Sequence, residues 1–213
     1  MSSLTPEKAL IFRISHVANV RWILANGLHC STSDVLDPDY HEIGNPDLIA
    51  KRSGRGVPIP PGGTLSDYIP FYFTPYTPMM LNIKTGYNGM KQTPMRDIVI
   101  LVSSLRKLRE MGIDFVFSDR HAYLWTADFS SELNELGRMI DWKILQARDF
   151  RRDLKDLEKV ERYQAEALVH RYMPITALLG IICYRDDQQQ AIRALIRDQG
   201  VNLEVKAMPG WYV

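Results

Sequence analysis

The chain has 213 residues, and its hydrophobic content of 46% is enough to bury a sizeable core in one domain. Its 26 basic and 25 acidic residues give a formal net charge of +1, so the overall charge does not by itself indicate a nucleic-acid partner. The 2 cysteines, Cys30 and Cys183, exclude a disulfide framework and a cysteine-bound zinc, and they suit a reducing compartment.

Membrane and metal classes are also excluded by the sequence. Residues 1–8 lack the basic segment and apolar core of a signal peptide, and no apolar run is long enough to span a bilayer. The 5 histidines show no metal-binding spacing such as HExxH, and neither a P-loop nor a dinucleotide fingerprint is present. We therefore expect a soluble, cytoplasmic protein with no bound metal and no membrane partner.

The opening of the chain predicts a strand, a helix and a second extended piece. Residues 10–15 form a short apolar run, residues 17–24 carry apolar side chains at helical spacing, and Leu28 begins the second extended piece. Arg13 and His16 are the polar exceptions near the end of the first strand. These two side chains are therefore expected where the strand gives way to the helix.

A long loop follows, at residues 31–66, and it is rich in proline, glycine and aspartate. Loops of this length inside a compact domain are usually functional or disordered. A short helix predicted at residues 47–52 brings Lys51, Arg52 and Arg55 close together. Such a cluster is commonly a solvated surface, but its place in a long loop also makes it a candidate binding site.

The middle of the chain alternates strands and helices. Strands are predicted at residues 68–73, 97–102 and 115–117, and helices at residues 103–111, 131–139, 141–146 and 148–162. Tyr72 and Tyr76 carry hydroxyls that need hydrogen-bond partners if they are buried. Arg148 and Arg152 lie in the last, heavily charged helix, where they either contact phosphates or solvate the surface.

Periodicity alone does not decide the role of two features that contain an acidic residue. Residues 118–121, Ser-Asp-Arg-His, follow a predicted strand and fit either a capped turn or a site. In residues 163–169 a single carboxylate, Glu166, stands among apolar residues. It lies either on the exposed face of a strand or helix end, or in the interior, where an unpaired carboxylate is costly and needs a partner.

Several stretches, taken together and in order, resemble the DarT toxins, which ADP-ribosylate bases of single-stranded DNA. The matching stretches are residues 11–16, 23–24, 27–28, 50–52, 57–58, 61–63, 67–73, 75, 78–79, 115–121 and 164–166. The resemblance implies an α+β ADP-ribosyltransferase fold, with two small sheets around an NAD cleft, flanking helices and a single domain over residues 1–213.

The resemblance also implies roles for individual residues. It makes Glu166, Arg52 and His121 catalytic. The cofactor-binding residues that it implies are Arg13, Ser15, His16, Leu28, Arg52 and Tyr72. We expect DNA contacts from Lys51, Arg55, Tyr76, Arg148 and Arg152. NAD would be the co-substrate, with no metal, and the partners would be single-stranded DNA and a DarG-type macrodomain antitoxin.

A buried carboxylate suits this chemistry, because breaking the nicotinamide bond of NAD develops positive charge on the ribose. Glu166 would stabilise that charge or take a proton from the base. Thymine is the expected target, and its N3 proton lies on an edge that is closed in a duplex. The alternatives are modification of guanine, RNA or protein, and a non-enzymatic nucleic-acid-binding module, which would bind DNA without NAD.

Overall fold

The computed structural model describes residues 4–212, without the side chain of Asn88. The strands are β1 Leu10–His16, β2 Leu28–His29, β3 Tyr68–Tyr72, β4 Ile98–Ser104, β5 Phe115–Ser118, β6 Phe129–Ser130, β7 Glu166–His170, β8 Tyr172–Met173, β9 Gly180–Cys183 and β10 Glu204–Ala207. The helices are α1 Val20–Asn26, α2 Pro46–Arg52, α3 Pro78–Thr85, α4 Leu105–Glu110, α5 Leu136–Met139, α6 Trp142–Ala147, α7 Lys159–Tyr163 and α8 Asp186–Asp198. The predictions for residues 1–8 and for a domain over residues 1–213 extend to residues 1–3 and 213, which lie outside this range.

The fold is α+β, as predicted, and eight strands form one continuous sheet in the order β10-β9-β4-β1-β3-β7-β5-β6. Strands β2 and β8 form a second, two-stranded sheet. Where β1 meets β3, the described residues give a single registered pair, Phe12 opposite Tyr72, whereas β1 pairs with β4 along its full length. The large sheet is therefore two four-stranded halves joined at a short seam, where two small sheets were expected.

The seam leaves backbone polar groups that the sheet ladder does not satisfy. Arg13, on β1, donates a hydrogen bond from Nη1 to the carbonyl oxygen of Pro70 on β3 at 2.9 Å. Because an unpaired carbonyl inside a protein is costly, this contact joins the two halves where their ladder is shortest. The neighbouring strand β4 is buried at every position and forms the centre of the hydrophobic core.

Helices pack against the sheet through their apolar faces. In α8 the buried residues are Ile192 and Ile196, four positions apart, so they lie on one face of the helix. Helix α3 was not predicted, although its start carries a recognisable signal. Thr77 caps it by accepting a hydrogen bond from the Met80 N–H at 3.1 Å, and Pro78 occupies the first helical turn.

The predicted helix at residues 148–162 is wrong: only α7 is helical there. Arg148 has a φ of 55°, in the left-handed region, and ends α6. Asp149 then accepts a hydrogen bond from the Arg151 N–H at 3.1 Å, and Asp153 from the Lys155 N–H at 2.9 Å. Such local turns compete with helical hydrogen bonds, which is why the charged segment folds as a loop.

No helix within residues 4–212 is both long enough and apolar enough to cross a membrane.

Candidate active site

Glu166 is the first residue of β7 and is buried, with 2% of its surface exposed. Its Oε1 accepts hydrogen bonds from Nδ1 of His121 at 2.9 Å and from the Ala122 N–H at 3.1 Å. Its Oε2 accepts a hydrogen bond from Nη1 of Arg52 at 3.0 Å. The carboxylate is therefore interior and partnered on both oxygens, rather than on an exposed face.

These partners decide the charge of Glu166. Burial alone would raise the pKa of the carboxyl, but the neighbouring Arg52 and His121 outweigh it and lower the pKa to about 2. Glu166 is therefore ionised at neutral pH, although it lies in the interior. A fixed negative charge of this kind is suited to stabilise positive charge that develops on a molecule bound beside it.

Arg52 reaches Glu166 from the last turn of α2, across a sequence separation of 114 residues. The helix begins after Asn45, whose side chain accepts a hydrogen bond from the Asp47 N–H at 2.9 Å. At the other end, Nη2 of Arg52 donates to the Leu65 carbonyl at 3.3 Å. The guanidinium is thus held between α2, the end of the long loop and the carboxylate.

His121 lies in a closed loop at residues 119–128, between β5 and β6. The Asp119 N–H donates to the Asp128 carbonyl at 3.2 Å, and the His121 N–H donates to the Glu161 carbonyl at 3.1 Å. Nδ1 of His121 faces both the carboxylate of Glu166, at 2.9 Å, and the Tyr123 N–H, at 3.3 Å. Within residues 4–212 the other ring nitrogen, Nε2, has no hydrogen-bond partner.

The predicted cofactor residues on β1 and β3 lie around the seam. Tyr72 stands directly opposite Glu166 in the β3–β7 ladder, and burial, followed by the charge of Glu166, raises the pKa of its hydroxyl. The Tyr72 hydroxyl lies 3.7 Å from the Met79 sulfur. Besides its bond to Pro70, Arg13 lies 3.5 Å from the Tyr40 hydroxyl. Tyr72 is therefore part of the Glu166 cluster.

The other three cofactor candidates differ in what they offer. Ser15 is buried and accepts a hydrogen bond from the Asn19 side chain at 3.3 Å. The ring of His16 stacks on His41, with ring centroids 4.8 Å apart, and burial, followed by the charge of His41, lowers its pKa. Leu28 is buried in β2 opposite Met173, so its side chain is closed to a ligand.

The structure does not bring the five predicted DNA-binding residues together. Lys51 and Arg152 are exposed, whereas Arg55 is only 8% exposed and is enclosed by its own neighbours. Arg148 lies over the ring of Tyr76, at 3.7 Å from its centroid. Both side chains line a cavity on the other side of the seam, and Trp211 lines the same cavity. As a group, these residues remain a prediction.

The sequence did not indicate four residues that lie in or beside the site. The backbone N–H of Ala122 binds Glu166, and a backbone donor leaves no signal in residue type. Tyr40 and His41 approach β1 from the long loop. Trp125, with 81% of its surface exposed, follows His121 closely, and a tryptophan in a polar loop is a signal that could have been used. Across residues 4–212 no group of acidic, histidine or cysteine side chains could hold a metal ion.

Solved structures share this arrangement of sheet and helices. The DarT of Thermus sp. 2.9 in complex with ADP-ribosylated ssDNA matches with a TM-score of 0.89 at 30% identity, covering 98% of each chain. The same protein in complex with NAD+ matches with a TM-score of 0.85, covering 98% of this chain and 99% of that one. The fold and the buried glutamate together are those of an ADP-ribosyltransferase.

Sequence comparisons specify the family. A DNA ADP-ribosyl transferase of Escherichia coli O127:H6 is 50% identical over 211 residues, which is 99% of this chain and 96% of that protein. The family model described as "ssDNA thymidine ADP-ribosyltransferase, DarT" matches residues 12–213. The chain belongs to the DarT family of DNA ADP-ribosyltransferases. The fold class and the family that the sequence predicts are both confirmed.

Proposed function

We propose that the protein transfers ADP-ribose from NAD+ to a thymidine base in single-stranded DNA and releases nicotinamide. The observation that carries this proposal is the buried, ionised Glu166, held by Arg52 and His121 in a chain of the DarT family. The Thermus relative, which shares the fold, has been solved with NAD+ and with ADP-ribosylated ssDNA.

The reaction exchanges one glycosidic bond for another. The bond between the ribose C1′ and the nicotinamide nitrogen breaks, and its electron pair leaves with nicotinamide, which becomes neutral. A ring nitrogen of the base, N3 in thymine, then forms the new bond to C1′ and loses its proton. That nitrogen lies on the pairing edge of the base, so the reaction requires an unpaired strand.

We assign the charge-stabilising role to Glu166. A carboxyl with a pKa of about 2 is a weak base at neutral pH, whereas its fixed negative charge stabilises a positively charged ribose. Its two oxygens are already engaged by Arg52, His121 and Ala122. Only the neutral form of His121 can accept the base proton, and we assign that role to its Nε2, which has no hydrogen-bond partner in the described part of the chain.

We propose that NAD binds near the His16 end of β1. A cavity of about 500 Å³ lies beside His16 and is lined by the long loop, including Tyr40 and His41, and by Asp97. Its volume is in the range of ligand pockets. Arg13, between this cavity and β3, supplies a cation for the phosphates or ribose hydroxyls. We propose that NAD lies along this side, with the nicotinamide ribose toward Glu166.

The resemblance to DarT toxins extends the proposal to biology. We propose that the protein acts in the cytoplasm, where NAD and single-stranded DNA are both present, and that a DarG-type macrodomain antitoxin removes the modification. Family membership supports this assignment. Growth arrest on expression, relieved by co-expression of such an antitoxin, is the expected phenotype.

A panel of acceptors tests the biochemical proposal. The protein is incubated with NAD+ and oligonucleotides that contain or lack thymine, and with duplex DNA, RNA and protein, and products are analysed by mass spectrometry. We expect an added ADP-ribose mass only on single-stranded DNA that contains thymine. Transfer to thymine-free DNA, to RNA or to protein instead would overturn the assignment of the substrate.

Glu166→Gln tests the catalytic role in the same assay, and Glu110→Gln, at an exposed position at the end of α4, is the matched control. The first variant should lose transfer and the second should keep it. Equal activity in the two variants would remove Glu166 from the mechanism.

A further inference from the structure

Trp125 is the feature of the loop that the mechanism does not use. Its side chain is 81% exposed, which is unusual for the largest apolar side chain. It lies three residues after Ala122, whose N–H binds Glu166. At about 3.8 Å between consecutive Cα atoms, the two Cα atoms are within roughly 11 Å of each other. Trp125 is therefore close to the reacting centre but outside it.

Arg55 supports the indole from one side. Its guanidinium carbon lies 4.4 Å from the centroid of the Trp125 ring and 5.8 Å from that of Phe129. It also donates a hydrogen bond from Nη2 to the Leu124 carbonyl at 3.0 Å. Tryptophan is the best aromatic partner for a cation, and a guanidinium stacks well on an aromatic face. Arg55 thus holds Trp125 in place and adds positive charge beneath it.

The backbone on both sides of Trp125 is fixed as well. The Leu124 N–H donates to the His121 carbonyl at 3.0 Å, and the Ala127 N–H donates to the Leu124 carbonyl at 3.1 Å. Arg55 itself donates its N–H to the Arg52 carbonyl at 3.2 Å. The exposed indole therefore stands on a hydrogen-bonded loop that is tied to Arg52 and His121, so little entropy is lost when a ligand stacks on it.

We propose that Trp125 is a stacking platform for a nucleobase of the single strand, next to the base that reacts. A nucleobase fits better than a protein side chain because the platform is aromatic, has a cation beneath it, and adjoins a site that acts on unpaired bases. The inference rests on the proposed function, and it adds a binding residue for the strand. Arg55 is a positioning residue in this arrangement, rather than a direct contact for DNA.

Binding measurements without NAD test the platform directly. Trp125→Ala should raise the Kd for a thymine-containing oligonucleotide about 5- to 150-fold, the range for loss of one stacked base. Trp125→Phe should keep most of the affinity, because phenylalanine still offers a ring. Tyr87→Ala, which removes another exposed aromatic side chain, is the matched control and should leave the Kd unchanged. The Kd for NAD+ should stay the same in all three variants.

Two further readouts separate stacking from a structural role. The oligonucleotide should quench tryptophan fluorescence in the unmodified protein, and this quenching should fall in Trp125→Phe. An abasic site at one position beside the target thymidine should weaken binding to the unmodified protein but not to Trp125→Ala. Non-additivity of this kind shows that the missing base and the indole contact each other.

Failure of the stacking platform and failure of the proposed function give different results. An unchanged oligonucleotide Kd in Trp125→Ala, with unchanged quenching in Trp125→Phe, overturns the platform and leaves the indole for a protein contact. An equal loss of NAD+ and oligonucleotide affinity also overturns it, because that result indicates collapse of the loop at residues 119–128. Absence of ADP-ribose transfer by the unmodified protein counts against the proposed function and is measured separately, with NAD+ present.

Discussion

Replacing Arg52 with methionine should destabilise the protein in a way that depends on pH. The substitution leaves Glu166, whose side chain is 3% exposed, without the guanidinium that binds one of its oxygens, while His121 and Ala122 still bind the other oxygen. Removing one partner of a buried ion pair costs about 3–5 kcal/mol, and the remaining hydrogen bonds place this case at about 3 kcal/mol. For a chain of this size, that is a fall in Tm of about 6–12 °C.

The pKa of Glu166 gives a similar value for the stability that its ion pair contributes. A carboxyl whose pKa falls from 4.5 to about 2 on folding adds about 3 kcal/mol of stability at neutral pH. Because the folded pKa is depressed, this stability is fully present above about pH 4.5 and is lost as the pH falls toward 2. Without Arg52, burial is less opposed, so the folded pKa rises and the variant gains stability on protonation.

Urea unfolding at several pH values between 4 and 7 measures this effect. We expect a difference of about 3 kcal/mol between the unmodified protein and Arg52→Met at pH 7, and a smaller difference at pH 4. Lys51→Met removes the adjacent, exposed cation of α2 and should change stability by less than about 0.5 kcal/mol. A difference for Arg52→Met that is constant across this pH range would refute the reasoning about the buried carboxylate.

Three further variants extend the account. Glu166→Gln should lower kcat for ADP-ribose transfer at least about 100-fold while keeping a cooperative melting transition, because it removes the charge without changing the shape. Arg13→Met should lower the free energy of unfolding by about 1–3 kcal/mol, since the Pro70 carbonyl loses its donor across the seam. It should also raise the KM for NAD+. Arg21→Met, at an exposed position, is the control for both measurements. Asn45→Ala should lower the Tm by about 2–4 °C, because α2 loses an N-cap worth about 1 kcal/mol, and an unchanged Tm would show that α2 does not need the cap.

Local patterns were sufficient for much of the fold. The apolar runs that became β1, β4 and β5 were predictable because buried strands have a short-range signature. The loop at residues 148–158 was not predictable in this way, because its basic and acidic residues are as compatible with a helix as with a loop. There the aspartate side chains bind nearby backbone N–H groups, and the local turns prevail.

The site could be predicted only in part, because its contacts join distant residues. Arg52 and Glu166 are 114 positions apart, so no spacing in the sequence reveals their ion pair. The ordered motifs of the family named Arg52, His121 and Glu166, and the fold shows that they meet. Arg55, a basic residue in a basic cluster, was expected to bind DNA; the structure shows it buried beside Trp125, and its DNA contact stays a prediction.

The most direct test of the central claim is the single-turnover rate of ADP-ribose transfer from NAD+ to a single-stranded oligonucleotide that contains one thymidine. We expect the unmodified protein to attach ADP-ribose to that thymidine, and Glu166→Gln, folded and still binding NAD+, to do so at least about 100-fold more slowly. Transfer by Glu166→Gln at the unmodified rate, or no adduct from the unmodified protein, would contradict that claim.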